Sequence, residues 1–313
     1  MTPASPRRRF AIVDIGSNSV KFLAGEPLKT KLKIIDDASI PTRLAEGLLR
    51  TGELKAEAMK RTFDVLRELR ERADGLGVEA LRPIATSAVR DSSNRKRFLR
   101  EAGSILGETV RILSGVQEAE AIFAGVSLDP HFKRHGIISV EVGGGSAQWT
   151  AGDNTGVEHR LSLPLGAVRL RERFIPDHPV TPAVLGSMRK ALGEQLGLAL
   201  APYSLDGKRL VGTGGTVTTL VAVMRKLKVW DPRKVDHTVL RKEDLSRFLN
   251  RLSKLPLGQI RKLPGLPPKR EDLMIPGGCV FLATMDVLGA EEMTISVRGL
   301  RYALLHQLVQ ERC

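Results

Sequence analysis

The chain of 313 residues lacks what several classes of protein need. Its two cysteines, Cys279 and Cys313, are too few for a disulfide framework, so we expect a reduced, cytoplasmic protein. Its apolar runs are too short for a membrane span, so we expect no membrane partner. Aromatic residues make up only 4% of the chain, whereas proteins that bind single-stranded nucleic acid usually stack bases on aromatic side chains. The composition argues against all three classes.

Positive charge, in contrast, is plentiful. Lys and Arg outnumber Asp and Glu by 49 to 35, which gives a net charge of +14 and an isoelectric point near 10.1. Such a charge attracts polyanions, namely nucleic acid, acidic membranes or polyphosphate; alternatively, the basic residues only make the surface soluble. The sequence has no helix-turn-helix, zinc-finger or aromatic RNA-binding pattern. A phosphate-rich ligand, small or polymeric, therefore fits better than DNA.

Strand and helix patterns alternate along the chain. Phe10–Ile15 and Val20–Gly25 have strand patterns on either side of a Gly-Ser-Asn-Ser turn, and Leu32–Ile35 predicts a third strand. Glu53–Ala73 has apolar residues at helical spacing, and Asn94–Leu106 predicts a helix with its first residue as the N-cap. This order predicts an α/β protein whose parallel or mixed sheets are covered by helices.

An internal repeat connects the two halves of the sequence. The segment from Asp14 to Gly25 aligns without gaps on the segment from Glu141 to Gly152, 127 residues later. In both copies an acid ends a β-branched strand, a glycine follows, and a serine takes the same place in the turn. The repeat predicts a duplicated domain with two matching hairpin loops.

The repeated loops have the composition of phosphate-binding loops. Glycine lets successive backbone N–H groups approach an anion, serine and asparagine add donors, and an acid at the strand end can hold Mg²⁺. A third glycine-rich turn, Val211–Thr216, begins a helix, and helix N-termini bind anions. Each loop alone could instead be an ordinary tight turn. The residues predicted to bind phosphate in these three loops are Gly16, Ser17, Asn18, Ser19, Gly143, Gly144, Gly145, Ser146, Gly214, Gly215 and Thr216.

Two further segments carry chemical groups. Thr86, Ser87 and Arg90 follow a predicted strand, and Arg90 could bind phosphate oxygens or form a salt bridge with a neighbouring carboxylate. Ser114-Gly-Val-Gln117 fits a capping box, which places Glu118 in the first turn of a helix. There Glu118 could accept a proton from an attacking water, or it could only compensate the helix dipole.

Together these motifs resemble the exopolyphosphatase / guanosine pentaphosphate phosphohydrolase family in its short two-domain form. The matching segments cover nearly the whole chain in the right order. They are Val13–Ser19, Ala85–Arg90, Ile112–Ala119, Gly143–Ser146, Ser162–Leu170 and Gly212–Thr216, together with Arg270 and Ser296–Arg301 near the C-terminus.

The resemblance implies a fold and an activity. The fold would be that of the actin / sugar kinase / Hsp70 superfamily, with two ribonuclease-H-like domains and a cleft between them. Domain I would be residues 1–128, with a C-terminal helix at 299–313 packing back on it, and domain II residues 129–298. The activity would be release of terminal phosphate from polyphosphate, with Mg²⁺ as cofactor, K⁺ as a possible activator and a homodimer as the assembly.

The resemblance also implies roles for individual residues. Asp14 and Glu141 would hold the metal, the two hairpin loops and Arg90 would hold phosphate, and Glu118 would be the general base. The chain departs from the family pattern at Glu141, where relatives usually have Asp, and at Gln148, where they usually have Glu. Gln148 therefore removes a carboxylate; we expect Glu141 to take over part of its role and Gln148→Glu to raise activity.

The resemblance leaves several activities open. A guanosine pentaphosphate phosphohydrolase would use the same residues, and the sequence alone separates it poorly from an exopolyphosphatase. A catalytically weakened sensor that binds polyphosphate or an alarmone would account for Gln148 and Glu141. A sugar kinase or actin-like ATPase fits less well, because the adenosine-site motifs of those relatives are not clear here.

Overall fold

The computed structural model describes residues 8–28, 31–133 and 135–312, so that Cys313 lies outside the described residues. The chain divides into two units. The first unit comprises Met1–Ser114 and Leu300–Cys313, and the second unit comprises Gly115–Gly299.

The elements alternate as the sequence predicts. The strands are, in chain order, β1 (Phe10–Ile15), β2 (Ser19–Leu28), β3 (Lys31–Pro41), β4 (Ala80–Ala85), β5 (Arg111–Ile112), β6 (Gly136–Val142), β7 (Ala147–Asp153), β8 (Gly156–Leu163), β9 (Lys208–Thr213), β10 (Val239–Arg241) and β11 (Glu292–Ser296). The helices are α1 (Leu48–Thr51), α2 (Ala56–Gly75), α3 (Ser87–Arg90), α4 (Arg95–Leu106), α5 (Gly115–Ser127), α6 (Ala167–Phe174), α7 (Pro182–Ala199), α8 (Gly214–Met224), α9 (Pro232–Val235), α10 (Lys242–Ser253), α11 (Leu257–Ile260), α12 (Met274–Leu288) and α13 (Leu300–Arg312).

The first unit is built on a mixed five-stranded sheet in the order β3-β2-β1-β4-β5. β1 pairs antiparallel with β2 and parallel with β4, and each of its six residues is buried. Helix α2 buries Met59, Phe63, Leu66 and Leu69, which follow the predicted helical spacing. Helix α13 packs on β1 and β2, and Arg301 of this helix donates a hydrogen bond to the carbonyl of Phe22 in β2.

The second unit is built on a mixed six-stranded sheet in the order β10-β11-β9-β6-β7-β8. Because side chains alternate along a strand, β7 contacts a helix on each face of the sheet. The Trp149 indole N–H donates to Thr284 Oγ1 of α12 at 3.1 Å. On the other face, Thr150 Oγ1 donates to the carbonyl of Ala119 in α5 at 3.0 Å. Helices α5 and α12 therefore cover opposite faces of this sheet.

The two sheets repeat the same hairpin in the same register. In β1–β2, Asp14 lies opposite Lys21; in β6–β7, Glu141 lies opposite Gln148. In each sheet the first strand of the hairpin also has a parallel neighbour, β4 in the first unit and β9 in the second. The repeat found in the sequence is therefore a repeat in the fold, and the prediction of two α/β halves with mixed sheets is confirmed.

Some details of the predicted strands, helix caps and loops differ from the structure. The third strand is longer than predicted. Asn94 precedes α4, but its side chain makes no cap bond within the described chain; its amide exchanges two hydrogen bonds with the backbone of Leu54. The polar segment after α5 contains Asp129 and Phe132, which are both buried. Phe132 belongs to a hydrophobic cluster within the second unit.

The boundary between units also differs from the sequence-based position. The predicted division at residue 128 would leave α5 in the first half, whereas α5 belongs to the second unit. The predicted cleft between the halves stays a prediction. In the part of the chain that the structure describes, each helix is too short or too polar to span a bilayer.

Candidate functional site

In the first unit, the candidate site begins where β1 ends. Asp14 is buried, and its Oδ2 lies 3.7 Å from Lys21 Nζ on the neighbouring strand. The turn that follows is closed by a hydrogen bond from the N–H of Gly16 to the carbonyl of Ser19, at 3.1 Å. Asp14 Oδ1 and Asn18 Oδ1 are buried and have no hydrogen-bond partner among the described residues. Two buried oxygens without donors are suited to a cation, because buried polar atoms are otherwise almost always paired.

The segment after β4 lies beside this loop. Ser87, in the first turn of α3, shares a hydrogen bond with Ser17 at 2.9 Å between the two hydroxyl oxygens. Thr86 precedes α3 and is buried. Arg90 donates to the carbonyl of Leu113 at 2.9 Å, and its Nε lies 3.3 Å from Asp91 Oδ1. The structure thus brings the predicted Ser17 and Ser87 together. It also places Arg90 beside the carboxylate of Asp91, as in the salt bridge that the sequence analysis gave as the alternative to phosphate binding.

In the second unit, the loop after β6 repeats this turn. The N–H of Gly143 donates to the carbonyl of Ser146 at 2.9 Å. The loop is held from the side by α6, because the N–H groups of Ala167 and Val168 donate to the carbonyls of Gly143 and Gly144. Gly166 lies so close to this loop that an added Cβ would collide with the backbone of Gly144. The backbone of the glycine loop is therefore fixed by its neighbours.

Glu141 is the last residue but one of β6, and its carboxylate lies against the start of α8. A Cβ on Gly214, the first residue of α8, would be 2.6 Å from Glu141 Oε1, and φ of Gly214 is +85°. The positive end of the helix dipole favours a carboxylate here. Glu141 and Gly214, which were predicted separately as a metal ligand and a phosphate ligand, are therefore direct neighbours.

Two more contacts fix the first turn of α8. Thr216 Oγ1 donates to the carbonyl of Val142 at 2.6 Å. Arg270 donates to the carbonyl of Gly215 at 3.0 Å, and burial lowers the pKa of its guanidinium to about 10. That value keeps Arg270 cationic at neutral pH, so that it adds a positive charge at this end of α8.

Glu118 belongs to a buried polar network in the second unit. It lies in the first turn of α5 and is only 6% exposed. Gln148 Nε2 lies 3.4 Å from Glu118 Oε2, 2.8 Å from Ser146 Oγ and 3.3 Å from Ser162 Oγ. The structure therefore brings together Glu118, the predicted base, Ser146 of the glycine loop, and Gln148, where the chain departs from the family pattern. Ser162 begins a segment that matches the family, but the sequence analysis did not name it as a site residue.

A group able to hold a metal ion lies elsewhere in the second unit. One ligand atom from each of Asp129, Asp236 and His237 lies within 4.8 Å of the others. Burial raises the pKa of Asp129, but hydrogen bonds from the His131 N–H and the His237 ring, with Arg298 nearby, outweigh it and hold the pKa below its usual range. No sequence pattern indicated this group, because Asp129 lies more than 100 residues before the adjacent Asp236 and His237.

These features define an α/β protein with two copies of one sheet hairpin, and in each copy an acid near the end of the first strand is followed by a glycine-serine loop. The model of the Ppx/GppA phosphatase family matches residues 25–312. The chain therefore belongs to the Ppx/GppA phosphatase family.

Individual relatives agree with this assignment. The chain is 31% identical over 303 residues to a bifunctional 3-dehydroquinate synthase/phosphatase of Fusobacterium nucleatum, covering 91% of this chain and 44% of that protein. It is 26% identical over 302 residues to a Haemophilus influenzae protein named as a candidate exopolyphosphatase, covering 96% and 91%. It is 27% identical over 304 residues to a guanosine-5'-triphosphate,3'-diphosphate pyrophosphatase of Vibrio atlanticus, covering 96% and 59%. The chain thus spans about half the length of two of these relatives.

Solved structures extend the similarity to the fold. The Ppx/GppA family member of Aquifex aeolicus superposes with a TM-score of 0.82 at 27% identity, covering 98% of this chain and 100% of that one. An exopolyphosphatase from Cytophaga hutchinsonii has a TM-score of 0.89 at 22% identity, covering 97% and 98%. Because its sequence identity is low, this second similarity supports the fold alone.

Proposed function

We propose that this protein is an exopolyphosphatase, which hydrolyses the terminal phosphate of inorganic polyphosphate with Glu118 as general base. The observation that carries the proposal is the buried Glu118 carboxylate, which has an amide donor at 3.4 Å and belongs to the same network as the serine of the glycine loop. A carboxylate whose orientation is fixed in this way can hold and deprotonate a water molecule. A carboxylate that only compensated the helix dipole would need none of these neighbours.

The proposed reaction is a single displacement at phosphorus. Glu118 takes a proton from water, and the water oxygen forms a bond to the terminal phosphorus. The bridging P–O bond breaks, its electron pair stays with the shortened chain, and orthophosphate leaves. Most of the catalytic effect in such reactions comes from positioning and from stabilising negative charge. The backbone N–H groups and hydroxyls of the two glycine-serine loops and Arg90 are the proposed ligands of the phosphate oxygens.

The residues of the first unit fit the divalent cation that the family suggests. Asp14 Oδ1 and Asn18 Oδ1 are hard oxygen ligands in a buried loop and have no donor among the described residues. We assign Mg²⁺ to Asp14 on this basis; when bound, it would neutralise charge on the phosphates. The sequence predictions of a homodimer, a cytoplasmic location and activation by K⁺ stay predictions.

Polyphosphate is favoured over a nucleotide by the charges on α4. Arg95, Lys96, Arg97 and Arg100 of this helix are exposed, and its first turn contains no acidic residue. Arg95 donates to the backbone carbonyl of Arg90 at 2.6 Å, so this basic surface begins beside a proposed phosphate ligand. Three cations at the positive end of a helix dipole are unfavourable for the helix itself. A polyanion bound along α4 would relieve that repulsion.

The proposal is tested by measuring orthophosphate release from long-chain polyphosphate in the presence of Mg²⁺. Glu118→Gln removes the base but keeps the shape of the side chain, and we expect release to fall by about 10²- to 10⁴-fold. Glu120→Gln is the matched control, because Glu120 lies two residues further along α5 and forms an exposed ion pair with Arg160. We expect this control to keep the activity of the wild type.

Other outcomes lead to other functions. Release from guanosine pentaphosphate but not from polyphosphate would establish the pentaphosphate phosphohydrolase. Tight polyphosphate binding without release from either substrate would establish the weakened sensor. Full activity of Glu118→Gln would remove Glu118 from the mechanism.

A further inference from the structure

Gln148 is the point where this chain departs from the family pattern inside the second unit's polar network. Its side chain is buried, and one nitrogen lies within hydrogen-bond distance of Ser146, Ser162 and Glu118. A primary amide nitrogen carries two hydrogens and accepts nothing. The serine hydroxyls can accept one of these hydrogens, which leaves the other for the Glu118 carboxylate.

We propose that Gln148 is a positioning residue that orients the Glu118 carboxylate towards water by donating a hydrogen bond to Oε2. This inference rests on the proposed function, because it assigns a partner to the proposed base. A hydrogen bond to a charged acceptor in a buried site is stronger than one between neutral groups.

The surroundings of Gln148 are built to keep this contact. β7 presents Gln148 and Thr150 on the same face, towards α5, because they are two residues apart in a strand. Thr150 anchors that helix through the carbonyl of Ala119. A Cβ on Gly115, the first residue of α5, would lie 2.6 Å from Ser162 Cβ. A side chain at position 115 would therefore push Ser162, and with it the network, away from the start of α5.

This contact reverses the expectation drawn from the family pattern. A glutamate at position 148 would place an acceptor where Glu118 now receives a donor, and two carboxylates would face each other at about the present 3.4 Å. We therefore expect Gln148→Glu to lower the activity of this chain rather than to raise it.

The test uses steady-state kinetics on long-chain polyphosphate with three variants. Gln148→Met keeps the length of the side chain but has no donor, and we expect kcat to fall by roughly tenfold or more with KM unchanged. Gln148→Glu is expected to reduce kcat at least as much. Thr150→Val is the comparison variant: it removes the neighbouring bond from β7 to α5 without touching Glu118, and we expect a clearly smaller fall in kcat than for Gln148→Met. Thermal unfolding of each variant confirms that it is folded.

A double-mutant cycle separates this inference from the proposed function. If Gln148 acts through Glu118, Gln148→Met has no further effect in a Glu118→Gln background. If Glu118→Gln abolishes release while Gln148→Met behaves as wild type, the positioning role is wrong and the proposed base stands. If Glu118→Gln is fully active, Glu118 is not the base and the positioning role of Gln148 is wrong with it, whereas the release of orthophosphate still identifies an exopolyphosphatase. A fall in kcat for Thr150→Val equal to that for Gln148→Met would also overturn the inference, because docking of α5 would then explain both.

Discussion

The two hairpin loops have the same backbone and different chemistry. In each, the N–H of the first glycine bonds to the carbonyl of the serine three residues later, at 3.1 Å in the first unit and 2.9 Å in the second. In each, backbone N–H groups that follow the third strand hold the carbonyls of the loop, from Thr42, Arg43 and Ala45 in the first unit and from Ala167 and Val168 in the second. The duplication has therefore kept the main-chain scaffold.

The side chains at matching positions have diverged. Lys21 and Gln148 are counterparts in register, yet Lys21 lies beside Asp14, whereas Gln148 reaches Glu118. Asp14 keeps one buried oxygen that has no donor among the described residues, while Glu141, its counterpart, lies against the start of α8. Under the proposed function, the first loop would bind the cation and phosphate, and the second would lie beside the base, Glu118. A repeat in the fold does not imply a repeat of function.

The largest expected effect separates Asp14 from Glu141. If the first loop is the cation site, Asp14→Asn removes a ligand with an unused oxygen, and we expect the affinity for Mn²⁺ to fall by at least about tenfold. Glu141→Gln is expected to change this affinity less and instead to lower the free energy of unfolding by about 1 kcal/mol, because it loses its interaction with the helix dipole. Mn²⁺ titration followed by electron paramagnetic resonance, with urea unfolding alongside, measures both.

The opposite pattern would break the comparison. Equal losses of Mn²⁺ affinity in the two variants would mean that both loops hold the cation, as the sequence analysis predicted. A loss confined to Glu141→Gln would move the cation to the second unit.

Much of the fold follows from the sequence, and less of the site. The aligned acid, glycine and serine of the two loops predict the hairpins because such turns are local, and the helical spacing of Met59 to Leu69 predicts α2 for the same reason. The contact between Gln148 and Glu118 joins residues 30 apart and depends on which face of β7 meets α5. Asp129 and His237 are 108 residues apart. Contacts of this kind depend on register and packing, which local patterns do not encode.

The second expected effect tests whether the glycine loop is fixed by its neighbour. Gly166→Ala places a methyl group against the backbone of Gly144, which cannot move without breaking its bonds to α6. We expect the free energy of unfolding to fall by about 1 to 3 kcal/mol. Gly186→Ala is the matched control, because a Cβ there, within α7, meets no atom within 4 Å. It should raise stability by about 0.5 to 1 kcal/mol through helix propensity. Urea unfolding gives both values, and a neutral Gly166→Ala would show that the loop adapts.

The smallest expected effect concerns the basic surface of α4 in the first unit. Lys96→Glu with Arg97→Glu places acids in the first turn of the helix, which the dipole favours by about 0.3 to 1 kcal/mol each. The same change removes positive charge beside a proposed phosphate ligand. We therefore expect stability to rise while the affinity for long-chain polyphosphate falls and becomes less dependent on salt. Thermal unfolding and equilibrium binding at two salt concentrations measure the two effects.

The control for this prediction must change the net charge equally. Lys190→Glu with Lys228→Glu does so at two exposed positions of the second unit, in α7 and after α8. If binding depends on α4, this control weakens polyphosphate binding less than the α4 variant does. Equal weakening by both would mean that polyphosphate responds only to the overall charge of +14, and the preference for a long polyanion would then lose its structural basis. A loss of affinity confined to the α4 variant, together with higher stability, would show that the first unit keeps an unfavourable charge arrangement because it binds substrate there.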